Sequence, residues 1–205
     1  MTHRARPVLL LAAALTLAAA LLLTACSGVR PAPAAMPAVY TAPQALLSYR
    51  VEAGVQAYPF VVSVFQNDAD GIGFRYDLGD GAQTGSVSMT AEAVRGATAM
   101  LNRFGSNGYQ LDDRTSVWLA RGPFASLKGG GAVALDLGDG PVRFSGGCGE
   151  TYDVGTAGGG SFAVAACRFA GDGQTLVVAD DAEQPLILSM DTGAFGVTLE
   201  AAAPR

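Results

Sequence analysis

The chain has 205 residues, half of them hydrophobic and 15% charged, with a formal net charge of −5 at pH 7. Such an apolar composition excludes a disordered chain. The acidic balance, with Lys128 as the single lysine, excludes the basic stripe or patch that nucleic acid demands, so no nucleic-acid partner is expected.

Arg4 and Arg6 precede an almost pure Leu/Ala run over 8–23, a positive region followed by an apolar segment, which is the pattern of a secretory signal. The run ends in Leu23-Thr24-Ala25-Cys26, which resembles the lipobox of bacterial lipoproteins, where small residues admit the signal peptidase ahead of a lipidated cysteine. The resemblance implies removal of 1–25, lipid on Cys26 and attachment to a membrane through that lipid. Ser27, in place of the Asp that retains Gram-negative lipoproteins at the inner membrane, implies sorting to the outer membrane if the host is Gram-negative. The alternative is an uncleaved anchor, for which 8–25 is slightly short of the about 20 residues a span needs. Cleavage would take the net charge from −5 to −7 and discard His3, the single histidine. A mature chain without histidine has no Ser/His/Asp or Cys/His machinery and no histidine-bound metal, so no cofactor or metal is expected.

The domain reading is 1–25 signal peptide, 26–43 lipidated Cys26 and tether, and 44–205 a single β-rich domain. Pro31, Pro33, Pro37 and Pro43 among alanines predict an extended spacer over 29–43. Alternating or β-branched stretches then predict strands: Leu47, Tyr49 and Val51 in the first, 58–65 and 72–78 as a hairpin, and 82–89 after an Asp-Gly turn. The pentapeptide Asp77-Leu78-Gly79-Asp80-Gly81 recurs as Asp136-Leu137-Gly138-Asp139-Gly140, which reads as reuse of a turn and not as a tandem repeat. Val94, Ala97, Leu101 and Phe104 predict one apolar face of a helix over 90–104, ended by Gly105. A second helical stretch is predicted over 115–120, broken by Gly122-Pro123 before a short turn at 124–128. Further strands are predicted at 132–137, 142–145, 162–169, 175–179, 185–190 and 195–199. The expected fold is α+β: a curved antiparallel sheet of about ten strands with two short helical segments on one face. A closed antiparallel barrel is the alternative.

With Cys26 assigned to lipid, Cys148 and Cys167 remain as a pair for a disulfide. The glycines around them predict turns and a mobile loop, since no phosphate-cradle spacing is present. Asn67-Asp68-Ala69-Asp70-Gly71 looks like a fragment of a calcium loop but lacks the first and last acidic ligands, so a plain turn is expected. The Asp180-Asp181 pair near Glu183 reads as a solvated turn. Asp191-Thr192-Gly193-Ala194 resembles the catalytic loop of retroviral-type aspartic proteases. It implies a carboxylate-dependent hydrolase using Asp191, with Asp153 as another possible base, and needs a second converging carboxylate. The preferred reading is a non-catalytic binding or accessory domain for a small apolar ligand or an envelope protein partner. Trp118, Phe104, Leu101 and Phe124 are the candidate pocket residues, with Tyr58, Phe60 and Tyr76 also available to line a cavity.

Overall fold

The computed structural model describes residues 33–204, and the residues from Pro33 onward form a compact unit of their own. The signal segment, the lipobox and Cys26 lie outside the described residues. Thirteen strands build one mixed sheet in the order β6-β4-β3-β2-β1-β13-β12-β11-β10-β9-β8-β5-β7. They are β1 (Leu46–Ala53), β2 (Gln56–Asp68), β3 (Gly71–Leu78), β4 (Gln83–Thr90), β5 (Ala99–Met100), β6 (Gly108–Leu111), β7 (Arg114–Thr115), β8 (Val133–Asp136), β9 (Pro141–Thr156), β10 (Ser161–Gly171), β11 (Gln174–Ala179), β12 (Ile187–Asp191) and β13 (Phe195–Ala203). Two helices accompany them among the described residues, α1 (Ala91–Gly96) and α2 (Arg121–Lys128).

The hub is β13. It pairs antiparallel with β1 along its length, from Leu46 opposite Ala203 to Ala53 opposite Phe195, and with β12 from Ser189 opposite Thr198. Its end also pairs in parallel with β9 at Ala201 and Ala202. The ladder from β9 through β13 thus returns to itself, while β6 and β7 remain as ends of the strand order. The sheet is mixed and not antiparallel throughout, because β4–β6, β5–β7, β5–β8 and β13–β9 run in parallel.

Period-two alternation distributes the apolar residues between two cores. On β11, Val177 and Ala179 enter one core and Leu176 and Val178 the other, which explains why this stretch reads as continuous hydrophobic sequence. On β10, Val164 and Ala166 face the first core. Cys167 and Phe169, on the opposite face, enter the second, and the register shift there leaves Gly149 of β9 as the unpaired residue. The first core also takes the inner face of β1 to β4, and the second takes Phe124 and Leu127 from α2 with Leu135 and Phe144.

Several expectations need correction. The helix predicted over 90–104 stops at Gly96. Thr90 caps its start by accepting from the Ala93 amide at 3.3 Å, but Ala97 is already extended at φ −62° and ψ 139°. One turn and a half has little stability of its own. The chain beyond it gains backbone partners instead, with Leu101 N–H donating to the Thr115 carbonyl at 2.7 Å. This also buries Met100, which the helical face left out. The predicted helix over 115–120 is extended chain, with Trp118 bridged to Leu186, and the true helix is α2. Gly122 and Pro123 fall in its first turn, where no helical N–H partner is needed, so they open the helix and do not break it. The Gly-rich run after Ser145 is part of β9, paired with β10, and not a mobile loop. The described part of the expected spacer lies on the domain: Ala34 accepts from the Ala165 amide, Met36 is buried and Tyr40 stacks on Phe162 at 4.7 Å.

Cys148 and Cys167 form a disulfide between directly opposed residues of β9 and β10. Cys148 is exposed and Cys167 buried in the second core. Replacing both by Ala should lower unfolding free energy by about 2–5 kcal/mol, the usual loss for a native disulfide, measured by urea unfolding. Wild type should fall to the same stability when reductant is added.

Candidate functional site

The two cores do not meet everywhere, and at their seam a cavity of about 400 Å³ opens to the surface. One wall is the inner face of the sheet. Tyr49, Val51 and Ala53 of β1 alternate onto it, beside Tyr58 and Phe60 of β2, and Phe195 and Val197 of β13 continue it. Ile187 and Met190 come from β12, while Met100 to Phe104, with Ser116 and Val117, form the opposite wall. Members of the first core (Tyr49, Val51, Phe60, Val117) and of the second (Met100, Ile187, Met190) thus line it together.

The strap over 100–104 is tied along its length. Ser116 Oγ donates to the Leu101 carbonyl at 2.9 Å, and the Asn102 amide donates to the Leu137 carbonyl. That amide lies against Gly138, whose φ of +114° and lack of a side chain are both required, since a Cβ there would overlap Asn102. Phe104 is enclosed by Phe60 at 4.9 Å, Tyr76 at 4.8 Å and Tyr109 at 6.5 Å between ring centroids. Gly105 then donates its amide to the Tyr109 hydroxyl at 2.7 Å and accepts from the Tyr76 hydroxyl. The rings are thereby held as a wall and are not free to close the space.

The inner wall is fixed by a buried hydroxyl. Tyr49 Oη donates to the Ile187 carbonyl at 3.0 Å, and burial, with a smaller effect from Tyr152, pushes its pKa well above the ordinary tyrosine range, so that it stays protonated. Ile187 N–H in turn donates to the Val117 carbonyl at 2.9 Å. Val117 has a φ of +67°, a region that a β-branched residue seldom occupies because Cβ crowds the following carbonyl. Strained residues of this kind collect at ligand sites. A register shift between Val177 and Val178 opposite β12 lies in the same neighbourhood.

Among the lining residues, Arg103 and Asp139 are the charged pair, 3.4 Å apart, with side chains 83% and 39% exposed. Asp139 is the single carboxylate of the lining, so the pocket does not hold the two converging acids that carboxylate hydrolysis needs. Asp191 is exposed at the end of β12 and accepts from the Gly193 amide at 2.8 Å, shaping the turn into β13. Asp153 is exposed on β9. The calcium-like fragment is a turn, in which Asp68 accepts from the Asp70 amide at 2.9 Å. Asp181 likewise caps a turn by accepting from the Glu183 and Gln184 amides, and Asp180 pairs with Lys128. Cys148, Cys167 and Asp180 cluster closely enough to hold a metal ion, but the two sulfurs are spent in the disulfide.

Of the residues expected at the pocket, Leu101, Phe104, Tyr58 and Phe60 line it. Trp118, Phe124 and Tyr76 do not. Trp118 is 1% exposed and packs on Phe74 at 6.0 Å in the first core, while its neighbours Ser116 and Val117 line the pocket. Phe124 is inward on α2 against Phe169 at 6.2 Å. Tyr76 stands behind Phe104. Tyr49, Met190, Phe195, Arg103 and Asp139 escaped sequence reasoning. The alternation of β1 was visible, but nothing local says that the last strand lies beside it.

Two outcomes test this geometry. Val117→Gly should be more stable than Val117→Ala by about 1 kcal/mol, reversing the ordinary order of these residues, because only glycine takes positive φ without cost; thermal unfolding of both checks it. In alkaline titration followed by tyrosinate absorbance, Tyr152, pushed up to about 12 by burial and by Glu200, should ionise later than exposed tyrosines, and Tyr49 later than its ordinary value. Both groups have folded pKa values raised above the unfolded one. Their contribution is therefore complete below about pH 10 and is lost as pH rises through the folded values, so unfolding should accompany the late phase.

No family model matches this sequence, and comparison with curated proteins and with solved structures finds no match.

Proposed function

We propose that this chain is an exported lipoprotein, anchored through Cys26, whose domain binds a small apolar ligand in the seam between its cores and performs no catalysis. The observation that carries the binding reading is the pocket itself: about 400 Å³, within the range of small-molecule sites, walled by aromatic and aliphatic side chains with a few polar groups at the edge. Its walls are pinned by hydrogen bonds, so the space is formed before any ligand arrives and little ordering cost falls on binding. The strain at Val117 supports the same reading, since well-packed cores do not ordinarily retain it. The non-catalytic part rests on the lone carboxylate of the lining and on the turn-capping role of Asp191. Export and lipidation rest on the basic-then-apolar start and on Leu23-Thr24-Ala25-Cys26. Membrane attachment through lipid follows from the same lipobox, and no helix among the described residues is long and apolar enough to cross a bilayer.

Native mass spectrometry of the protein taken from its own host should show a retained apolar adduct. Ala53→Trp, which places a large ring in the cavity, should remove the adduct and leave the protein folded, whereas Asp191→Asn should leave binding unchanged. A hydrolytic activity abolished by Asp191→Asn would overturn the binding reading. For the anchor, Cys26→Ser should release the protein from the membrane fraction or leave it as precursor, and unchanged membrane attachment at mature size would refute the lipobox.

A further inference from the structure

Resting on the pocket as a ligand site, we infer that its occupant is a single-chain amphiphile whose head group is neutral overall and both donates and accepts hydrogen bonds. The body follows from volume and lining. At the ~30 Å³ that a water-sized group occupies in a liquid, about 400 Å³ holds roughly a dozen carbons. The walls offer those carbons Phe60, Phe104, Met190 and Phe195, while the buried hydroxyls of Tyr49 and Ser116 are already committed to the Ile187 and Leu101 carbonyls. The interior therefore presents apolar surface with its polar atoms engaged.

The head follows from the edge. The remaining polar side chains of the lining are Tyr58, Gln83, Asn102, Arg103 and Asp139. The neighbouring acids Asp77, Asp136 and Asp191 are not among the lining residues; they are turned to backbone amides, Asp77 accepting from Gly81, Asp136 from Gly138 and Gly140, and Asp191 from Gly193. What faces a ligand is one guanidinium and one carboxylate, 3.4 Å apart and both partly in water. An anionic head would be drawn to Arg103 and repelled by Asp139, and a cationic head would meet the reverse. A neutral head bearing hydroxyls can accept from the guanidinium and donate to the carboxylate without leaving either charge uncompensated. The two copies of the Asp-Leu-Gly-Asp-Gly turn differ here in use. In both, the first Asp caps the turn, but the last Asp of the second copy, Asp139, is the one set opposite Arg103.

The test uses three dodecyl probes below their micelle concentrations: 1-dodecanoylglycerol, dodecanoate and dodecyltrimethylammonium. Each is titrated calorimetrically into the compact unit 33–205 and into its Arg103→Gln and Asp139→Asn variants. Both side chains lie partly in water, and circular dichroism with cooperative thermal unfolding first shows that the unit and each variant fold. The glycerol ester should bind wild type about tenfold more tightly than either ion, a difference of about 1.4 kcal/mol. Asp139→Asn should tighten dodecanoate alone, and Arg103→Gln should tighten dodecyltrimethylammonium alone. If the three probes bind wild type equally, or if dodecanoate binds best, the head-group inference fails while the pocket reading stands. If none binds, the pocket reading itself falls.

Discussion

The pairing of β1 with β13 is the constraint on which the rest depends. It joins residues at opposite ends of the described chain, Leu46 with Ala203 and Ala53 with Phe195, and places two sets of apolar side chains side by side on one face. Without it β1 to β4 would be a separate meander, and Tyr49 would have no Ile187 carbonyl to meet. Because loop closure precedes the gain from such contacts, a fold that needs its first and last strands together pays an entropic cost early. The reward is a continuous wall for the pocket.

That wall also explains why the cavity persists. Close packing normally removes voids of this size, since each unfilled volume forfeits dispersion contacts. Here the two cores are fixed by different elements: the first by β1 to β4 and α1, the second by α2, β8 and β9. The central strands β10 to β12 serve both faces and cannot shift toward one without unpacking the other. The strap from Met100 to Phe104 is pinned from both sides, by Ser116 and Asn102 near its start and by Tyr76 and Tyr109 past its end. The space is bounded by a strap held at both ends and by the Tyr49 hydroxyl bound to Ile187.

Much of this fold was legible in the sequence, and the losses have physical causes. Each of the ten predicted strand stretches falls on a strand, because period-two alternation and Gly/Asp turns are local signals. Three short strands, β5, β6 and β7, were missed, since two to four residues carry no periodicity and exist only through their parallel partners. The helix over 90–104 shows the opposite failure: Val94, Ala97, Leu101 and Phe104 are spaced as a helical face, yet each is held by a different neighbour. The disulfide pair was legible from cysteine arithmetic. The pocket was half legible, through Leu101, Phe104, Tyr58 and Phe60. Trp118 and Phe124 misled because large aromatic residues serve a sealed core as readily as an open one.

The central claim is that the seam between the cores is a preformed apolar cavity. Crystals of the compact unit pressurised with xenon test it directly, because a dry apolar cavity takes up xenon and a polar or collapsed one does not. Xenon density bounded by Phe60, Phe104, Met190 and Phe195, with those side chains unmoved, is the result this account requires. A seam closed by Phe104 and Met190, or filled by an ordered water network, would contradict it.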